Sequence, residues 1–397
     1  MSALLLLLAC TPVALVEGVR FEDSSEDPSE LLDSEEREET NDLEIFQLDR
    51  VVEIELILRE DDLDALAAEP YAYVQADVRI DEQLYEDVGV RLKGRLGSFR
   101  AMPSKSAFKI DFKQYGGPEG PDDLEKLNLN NMVQDCAQAH KQASYGLHEM
   151  LGIPAPRVAY AWVKVNEANY GLYSLVDAYD DEFLKRRFED PSGNLYDGDY
   201  RLWDDGSYTL VDFTNAQQHL FELDEGTDVG LADIEAVTLA AGKSMEDLAG
   251  VVDTEQLGRF IGASAWTGQY DSYAYYSNNY RVYFDPAREG RGVFLPWDPD
   301  WAFYASTPVT SPNGRLAALC LADGDCRGHA RAAADELSRG VAGSTFEEEL
   351  IRGMELTEEY VEDDRKREVS LSEVRWCRED LLDWLQRRES ELDAAGF

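Results

Sequence analysis

The sequence predicts an α+β fold of two lobes: a first part built on a mixed sheet with a helix, and a largely helical second part that carries the polar motifs. Three observations predict it. Short runs with period-2 alternation begin at Val51 and recur to about residue 177. Apolar residues at helical spacing dominate 181–188, 246–266 and the last fifty residues. At 397 residues, the chain is long enough for two or three domains or lobes and a sizeable core.

VVEIELIL, from Val51, alternates as a strand; DDLDALAAE reads as a helix; ADVRI and DVGVRLKG read as further strands. Gly94 and Gly97 in KGRLGSFR, after Lys93, mark a tight turn in which backbone can approach a phosphate, or a plain hairpin. In 105–113, alternation puts Ser106, Phe108, Ile110 and Phe112 on one face, and Lys105, Ala107, Lys109 and Asp111 on the other, so both lysines are expected to point the same way. Residues 127–152 run from a turn into an amphipathic helix that Asp135 is placed to cap. VAYAWVKVN and YGLYSLVDAY are two more strands joined by a turn at 166–169. The first lobe is expected to span 45–180 and the second 181–397, with 189–230 loop-rich and acidic. Helices over 346–365 and 374–392 close the second lobe, since Phe346, Leu350, Met354 and Val361, then Leu381, Trp384, Leu385 and Leu392, fall at helical spacing.

The net charge of −44 repels nucleic acid and anionic membrane surfaces, and excludes both as partners without a local basic patch. At the N-terminus, residues 4–8 are all leucine and lead into Ala9 and Cys10, the pattern of a bacterial lipoprotein signal within 1–21. Cys10 is then the lipidation candidate, and membrane contact is expected only through that anchor. Residues 22–44 hold twelve Asp or Glu and one Arg, a composition that cannot collapse and reads as a tether. Export favours disulfides, and Cys320 and Cys326, enclosing a short Gly-containing turn, are expected to bond to each other.

The densest polar pattern lies at 271–300. Asp271 and the pair Asn278 and Asn279 precede the strand-like RVYF, and Asp298 and Asp300 follow in PWDPDWAF. Oxygen donors gathered on two segments around an apolar strand suit a hard divalent cation and the phosphates it carries. Trp297, Trp301 and Phe303 read as core packing around the acidic pair. No G-x-S-x-G elbow or HExxH pair occurs, which leaves serine-hydrolase and zinc-protease chemistry without support.

Over residues 50–395 the chain resembles the spore coat protein H (CotH) kinase family. The likeness is carried by DVGVRLKG, KSAFKIDF, LNLNN, LGIPAP to VKVN, YGLYSLVDAYDDEFLKRRF, GNLYDGD, YDSYAYYSNNYRVYFDP and LPWDPDWAF. The resemblance implies an atypical protein-kinase-like fold that binds ATP with Mg²⁺ or Mn²⁺ and phosphorylates serine or threonine in surface or coat proteins, with a basic or Ser-rich protein as substrate. It implies that Lys105 pairs with the phosphates, with Lys109 as fallback; that Asp271 orients the acceptor hydroxyl; and that Asp298 with Asn278 or Asn279 holds metal, Asp300 being the alternative or second ligand. It further implies that Gly94 and Gly97 cover the phosphates and that Asp177 pairs with Lys105. The chain departs from the family in Gly94-Arg95-Leu96-Gly97-Ser98, in His140, and in Asp177 where Glu is common. A silent binding protein of the envelope or coat, or an AMP-transferring relative, is the alternative. A bacterial cell-envelope location, lipid-anchored or secreted, and a monomeric state are expected.

Overall fold

The computed structural model describes residues 44–397. The expected signal segment, Cys10 and nearly all of the acidic tether lie outside the described residues.

Seven strands, β1 (Val51–Ile57), β2 (Val74–Ile80), β3 (Gln83–Lys93), β4 (Ala107–Asp111), β5 (Lys126–Asn130), β6 (Val158–Val165) and β7 (Ala168–Asp177), close into a barrel in the order β1-β2-β3-β4-β5-β7-β6. Every pairing is antiparallel except the closing one, where β1 runs parallel to β6 with Val51 opposite Tyr160. Closure is the physical difference from an open sheet, because it removes both edges that would otherwise present unpaired backbone. Alternate side chains fill the interior: Val52, Ile54, Leu56, Val90, Leu92, Phe108, Ile110, Leu127 and Leu129 are all buried in one core. Helix α1 (Glu60–Ala68) packs on β2.

Helix α2 (His140–Met150) leaves the barrel between β5 and β6. The N-cap position is Ala139, and Asp135, four residues before it, satisfies the first helical N–H instead: its Oδ2 accepts from the His140 backbone N at 2.8 Å. Its Ala143 and Leu147 are buried in the second core, so this helix packs mainly outside the barrel. After α3 (Asp181–Arg187) come β8 (Asn194–Asp197), β9 (Arg201–Leu202), β10 (Tyr208–Thr209) and β11 (Glu222–Glu225). Helices α4 (Ala232–Ala241), α5 (Met245–Ala249), α6 (Thr254–Trp266) and α7 (Tyr273–Tyr276) follow, then the hairpin β12 (Tyr280–Asp285) and β13 (Arg291–Pro296). Strands β11-β8-β12-β13 form a second sheet.

Helices α8 (Arg315–Ala322), α9 (Gly324–Gly343), α10 (Phe346–Asp363) and α11 (Leu371–Ala395) complete the fold. The α8–α9 boundary is a helix junction held by a Cys320–Cys326 disulfide, with Asp323 capping α9. A second disulfide, Cys136–Cys377, spans 241 residues and ties the approach to α2 to α11. Among the described residues no helix is long and apolar enough to cross a membrane.

Candidate active site

A polar cleft of about 880 Å³ lies between the barrel hairpin β3–β4 and the second sheet. Lys93, Gly94 and Lys109 line it from the barrel; Asp271, Asn278, Asn279, Asp298 and Asp300 line it from the other side. The structure thus gathers most of the residues that the motifs singled out, from segments up to two hundred positions apart.

The acidic turn after β13 is the centre of the site. Asp298 takes a left-handed backbone conformation, φ 41° and ψ 61°, unusual for a non-glycine residue and a common mark of functional turns. Three residues at the start of α2 grip this turn. Lys141 Nζ bonds Asp298 Oδ1 and lies 2.6 Å from Asp300 Oδ1. Tyr145 Oη accepts from the Asp298 backbone N at 3.1 Å, and His140 Nδ1 lies 3.2 Å from the Asp300 carbonyl oxygen. Asn130, at the end of β5, donates to Asp298 Oδ1 at 3.0 Å. Burial alone would raise the Asp298 carboxyl, but Lys141 and Lys93 hold it below the usual range. Asp300 is pushed up to about 6 by burial, against Lys141 and with help from Asp298. Its buried Oδ2 has no hydrogen-bond partner among the described residues.

Asp271 follows the C-terminus of α6. Asn278 and Asn279 donate to its Oδ2 at 3.1 and 2.9 Å, which leaves Oδ1 without a partner among the described residues. Burial pushes the Asp271 carboxyl up to about 7; the Asn278 bond lowers it and Asp298 raises it. The oxygen of Asn278 accepts from Tyr200 N at 3.0 Å and is therefore committed. That of Asn279 has no such partner among the described residues, so Asn279 is the better placed of the two for a cation.

On the barrel side, Lys93 and Lys109 have no ion pair among the described residues. Burial lowers Lys93 to about 8, and its ammonium lies 5.3 Å from the Trp297 ring centre. Burial also lowers Lys109. Two half-buried cations that face a cleft and make no direct ion pair among the described residues suit an anionic ligand such as a polyphosphate. The Gly94–Ser98 turn is fastened to the far wall: Arg95 donates to the Tyr200 carbonyl at 2.5 Å, and Leu96 N to Tyr200 Oη at 2.9 Å. Gly94, at φ 101°, lines the cleft; Gly97, at φ 84°, abuts the Gln134 side chain and does not.

Several expectations need correction. Lys105 does not share the face of Lys109 and does not line the cleft. Strand pairing begins only at Ala107, opposite Lys93, so the alternation cannot be extended back to residue 105. Its ammonium is instead buried against Asp364. Asp177 does not pair with Lys105 either; it faces Arg186 at 3.2 Å. Trp301 is not core packing, because the turn after Asp298 leaves it 42% exposed at the cleft; Trp297 lines the cleft but packs its ring against Tyr179 and two apolar clusters, and Phe303 is core.

Other residues of the site escaped the sequence reading. Lys141 is the main one, and its signal was a lysine four positions before Tyr145 on the buried side of α2. Arg281, beside Asn279 in the NNYR motif, binds Asp197 at 3.1 Å, Asp199 at 3.2 Å and Asp224 at 2.9 Å on the cleft wall. Asp197 and Asp199 lie in GNLYDGD, one of the motifs that carry the family resemblance.

Whether a divalent cation suits these residues can be judged from the oxygens. Among the described residues no three His, Cys, Asp or Glu side chains gather closely enough to hold a metal by themselves. Mg²⁺ commonly takes only one or two carboxylates and completes its shell with water and substrate phosphate. The unpartnered Asp300 Oδ2, with Asp298 and the Asn279 oxygen, fits that pattern.

The family profile of the CotH kinase protein matches residues 90–388. The inner spore coat protein H of Bacillus subtilis (strain 168) is 26% identical over 210 residues, which is 49% of this chain and 54% of that protein, so the match spans about half of each. Among solved structures, the complex of HipA, HipB and operator DNA from Shewanella oneidensis MR-1 aligns over 86% of this chain and 73% of that one, at 11% identity and TM-score 0.34. The proinflammatory kinase CtkA of Helicobacter pylori aligns over 81% and 89%, at 11% identity and TM-score 0.28. Both scores are too low to establish a shared fold. The profile, which covers the barrel from the end of β3 through α11, decides the matter: the chain belongs to the CotH kinase protein family.

Proposed function

We propose that this protein is a two-lobed, kinase-like phosphotransferase that binds ATP in the cleft and moves a phosphoryl group to a hydroxyl of an exported protein. The observation that carries the reading is the opposition, across one cleft, of two lysines without a direct ion pair among the described residues and an acidic turn with a buried carboxylate oxygen that has no partner among them. Phosphoryl transfer asks a protein chiefly for positioning and charge neutralisation, and this set supplies both. Lys93 and Lys109 bind the phosphates, in place of the Lys105 that the resemblance implied. Asp298, Asp300 and Asn279 would hold Mg²⁺ or Mn²⁺, which when bound neutralises charge on the phosphate oxygens. Asp271 orients the acceptor hydroxyl and takes its proton at Oδ1; a base with its pKa pushed up to about 7 is matched to that task.

The relative's presence in the inner spore coat, the leucine run before Cys10 and the acidic segment after it support an exported or coat location with a lipid tether. A protein acceptor, basic or Ser-rich, fits the acidic surface.

One observation favours a second reading. Lys141 already neutralises part of the acidic pair, as it would in a member that binds nucleotide without transferring phosphate. The test is incubation of the full chain with Mg²⁺ or Mn²⁺, a generic basic protein, and ATP labelled separately at the γ and α positions. Label arriving from γ alone is the expected result. Label from α identifies AMP transfer, and nucleotide binding without label identifies the silent protein.

A further inference from the structure

Lys141 is buried, with 1% of its side chain exposed, and it faces two carboxylates that stand two residues apart on one turn. An ammonium completely removed from water needs counter-charge, and so does the buried Asp300 carboxylate, while Asp298, 27% exposed, stands at the edge of the cleft. One lysine between two acids leaves the trio one positive charge short, and Asp300 Oδ2 is buried without a partner among the described residues. The lysine is not a mobile surface group. It rises from a helix whose Tyr145 and His140 hold the backbone of the same turn, and the helix is anchored beyond its start by the Asp135 hydrogen bond and the Cys136–Cys377 bond.

We propose that Lys141 is a positioning residue acting as the site's resident counter-cation: it holds the 298–300 turn closed on α2 and keeps affinity for free divalent cation low until the cation arrives with nucleotide phosphate. The proposal rests on the reading of Asp298 and Asp300 as metal carboxylates. The physical reason is charge. With Lys141 in place an incoming divalent ion meets one unit less negative charge, and the repulsion of a neighbouring ammonium, than it meets without it; the influence of Lys93 is common to both cases. At contact distances near a protein surface one such unit charge changes affinity by about tenfold or more. A bound nucleotide contributes phosphate oxygens that outweigh the lysine.

The test is Mn²⁺ binding to the full chain without nucleotide, read by the loss of the free-ion magnetic resonance signal, with near-ultraviolet circular dichroism as the check on folding. Lys141→Met is expected to bind Mn²⁺ at least tenfold more tightly than wild type, and Lys141→Arg, which keeps the charge, about equally. A native-like Lys141→Met that binds no more tightly than wild type overturns the proposal. Should Lys141→Met fail to fold, the double variant Lys141→Met with Asp300→Asn removes the surplus acid; it is expected to bind at least as tightly as wild type, and weaker binding overturns the proposal. Asp298→Ala separates the two readings: if it binds Mn²⁺ as wild type does, the carboxylates are not metal ligands and both readings fall, whereas loss of binding there alongside an unchanged Lys141→Met sinks only the role of Lys141.

Discussion

Two lysines of this chain are buried against carboxylates, and they do opposite work. Lys105 meets one acid, Asp364, and both side chains are out of solvent at 1% and 0% exposure. Asp364 is also satisfied by the backbone N–H groups of Leu172 at 3.2 Å and Lys366 at 2.9 Å. Gly171, at φ 103°, gives it room, since a Cβ there would overlap the Asp364 carboxylate. Lys141 meets two acids and leaves a buried oxygen unpartnered. The first arrangement is closed in charge and in hydrogen bonds and joins the α10–α11 turn to the barrel. The second carries a surplus negative charge on a cleft. Surplus, rather than burial, is what separates a site from a strut.

The largest effect should come from breaking the closed pair. Lys105→Met leaves Asp364 buried without its cation, and breaking such a pair typically costs about 3–5 kcal/mol. Denaturant unfolding should report that loss, while label transfer per folded molecule stays close to wild type. A Lys105→Met protein that is stable but inactive would reverse the comparison and return Lys105 to the site.

Breaking the open pair should do the reverse. Asp298→Ala is expected to lower γ-phosphate transfer by about 10²-fold or more, because charge neutralisation at the phosphates is lost. The fold should persist, since Lys141 keeps Asp300 as a partner at 2.6 Å. Steady-state rates together with circular dichroism check both halves; wild-type turnover in Asp298→Ala would remove the metal assignment and make Asp300→Ala the next variant to measure.

The pH profile sharpens the same contrast. Asp271 must be ionised to take the hydroxyl proton, and its pKa is raised to about 7, so kcat/KM should rise with pH through about 7. Lys93 must be charged to bind phosphate, and its pKa is lowered to about 8, so kcat/KM should fall as pH passes about 8. The expected profile is a narrow bell between them, with Asp271→Asn lowering the plateau and removing its acid limb. A flat profile from pH 6 to 9 would exclude both roles.

The smallest effect concerns the shorter of the two disulfides. Cys320–Cys326 closes a very short loop, so Cys320→Ser with Cys326→Ser should lower stability by about 2 kcal/mol, whereas the 241-residue separation of Cys136–Cys377 predicts a loss as large as that of the Lys105 pair, about 5 kcal/mol in the chain-entropy picture. Paired thermal unfolding curves give the order. Equal losses would mean that Cys136–Cys377 does little to anchor the start of α2.

Much of this was legible in the chain. Strands β1 and β2 show period-2 alternation in which each buried residue is apolar, a local property that any window reveals, whereas β6 and β7 are buried almost throughout and β5 buries Asn128 and Asn130. Asp271, Asn279, Asp298 and Asp300 were legible for a related reason: amides and carboxylates on either side of an apolar hairpin have few uses other than holding charge. Helices α8 and α9 were not read, because their alanine- and glycine-rich sequence carries little periodic contrast against charged neighbours. The Cys136–Cys377 bond was equally hidden, since spacing along the chain says nothing about two cysteines 241 residues apart.

What the sequence determined by itself was therefore the inventory: strands before helices, the charge, the hairpin with its acids, and through its motifs the family. What only the tertiary structure decided was which lysine meets which acid. Lys105 and Lys109 differ by four positions on what reads as one strand face, yet pairing begins at Ala107 and Lys105 turns away to Asp364, 259 residues on. Nothing in the sequence around Lys141 marks its partners, and the packing of α2 sets it between Asp298 and Asp300. Ion pairing depends on distance in space and on the water that burial removes, and neither quantity is carried by a local stretch of chain.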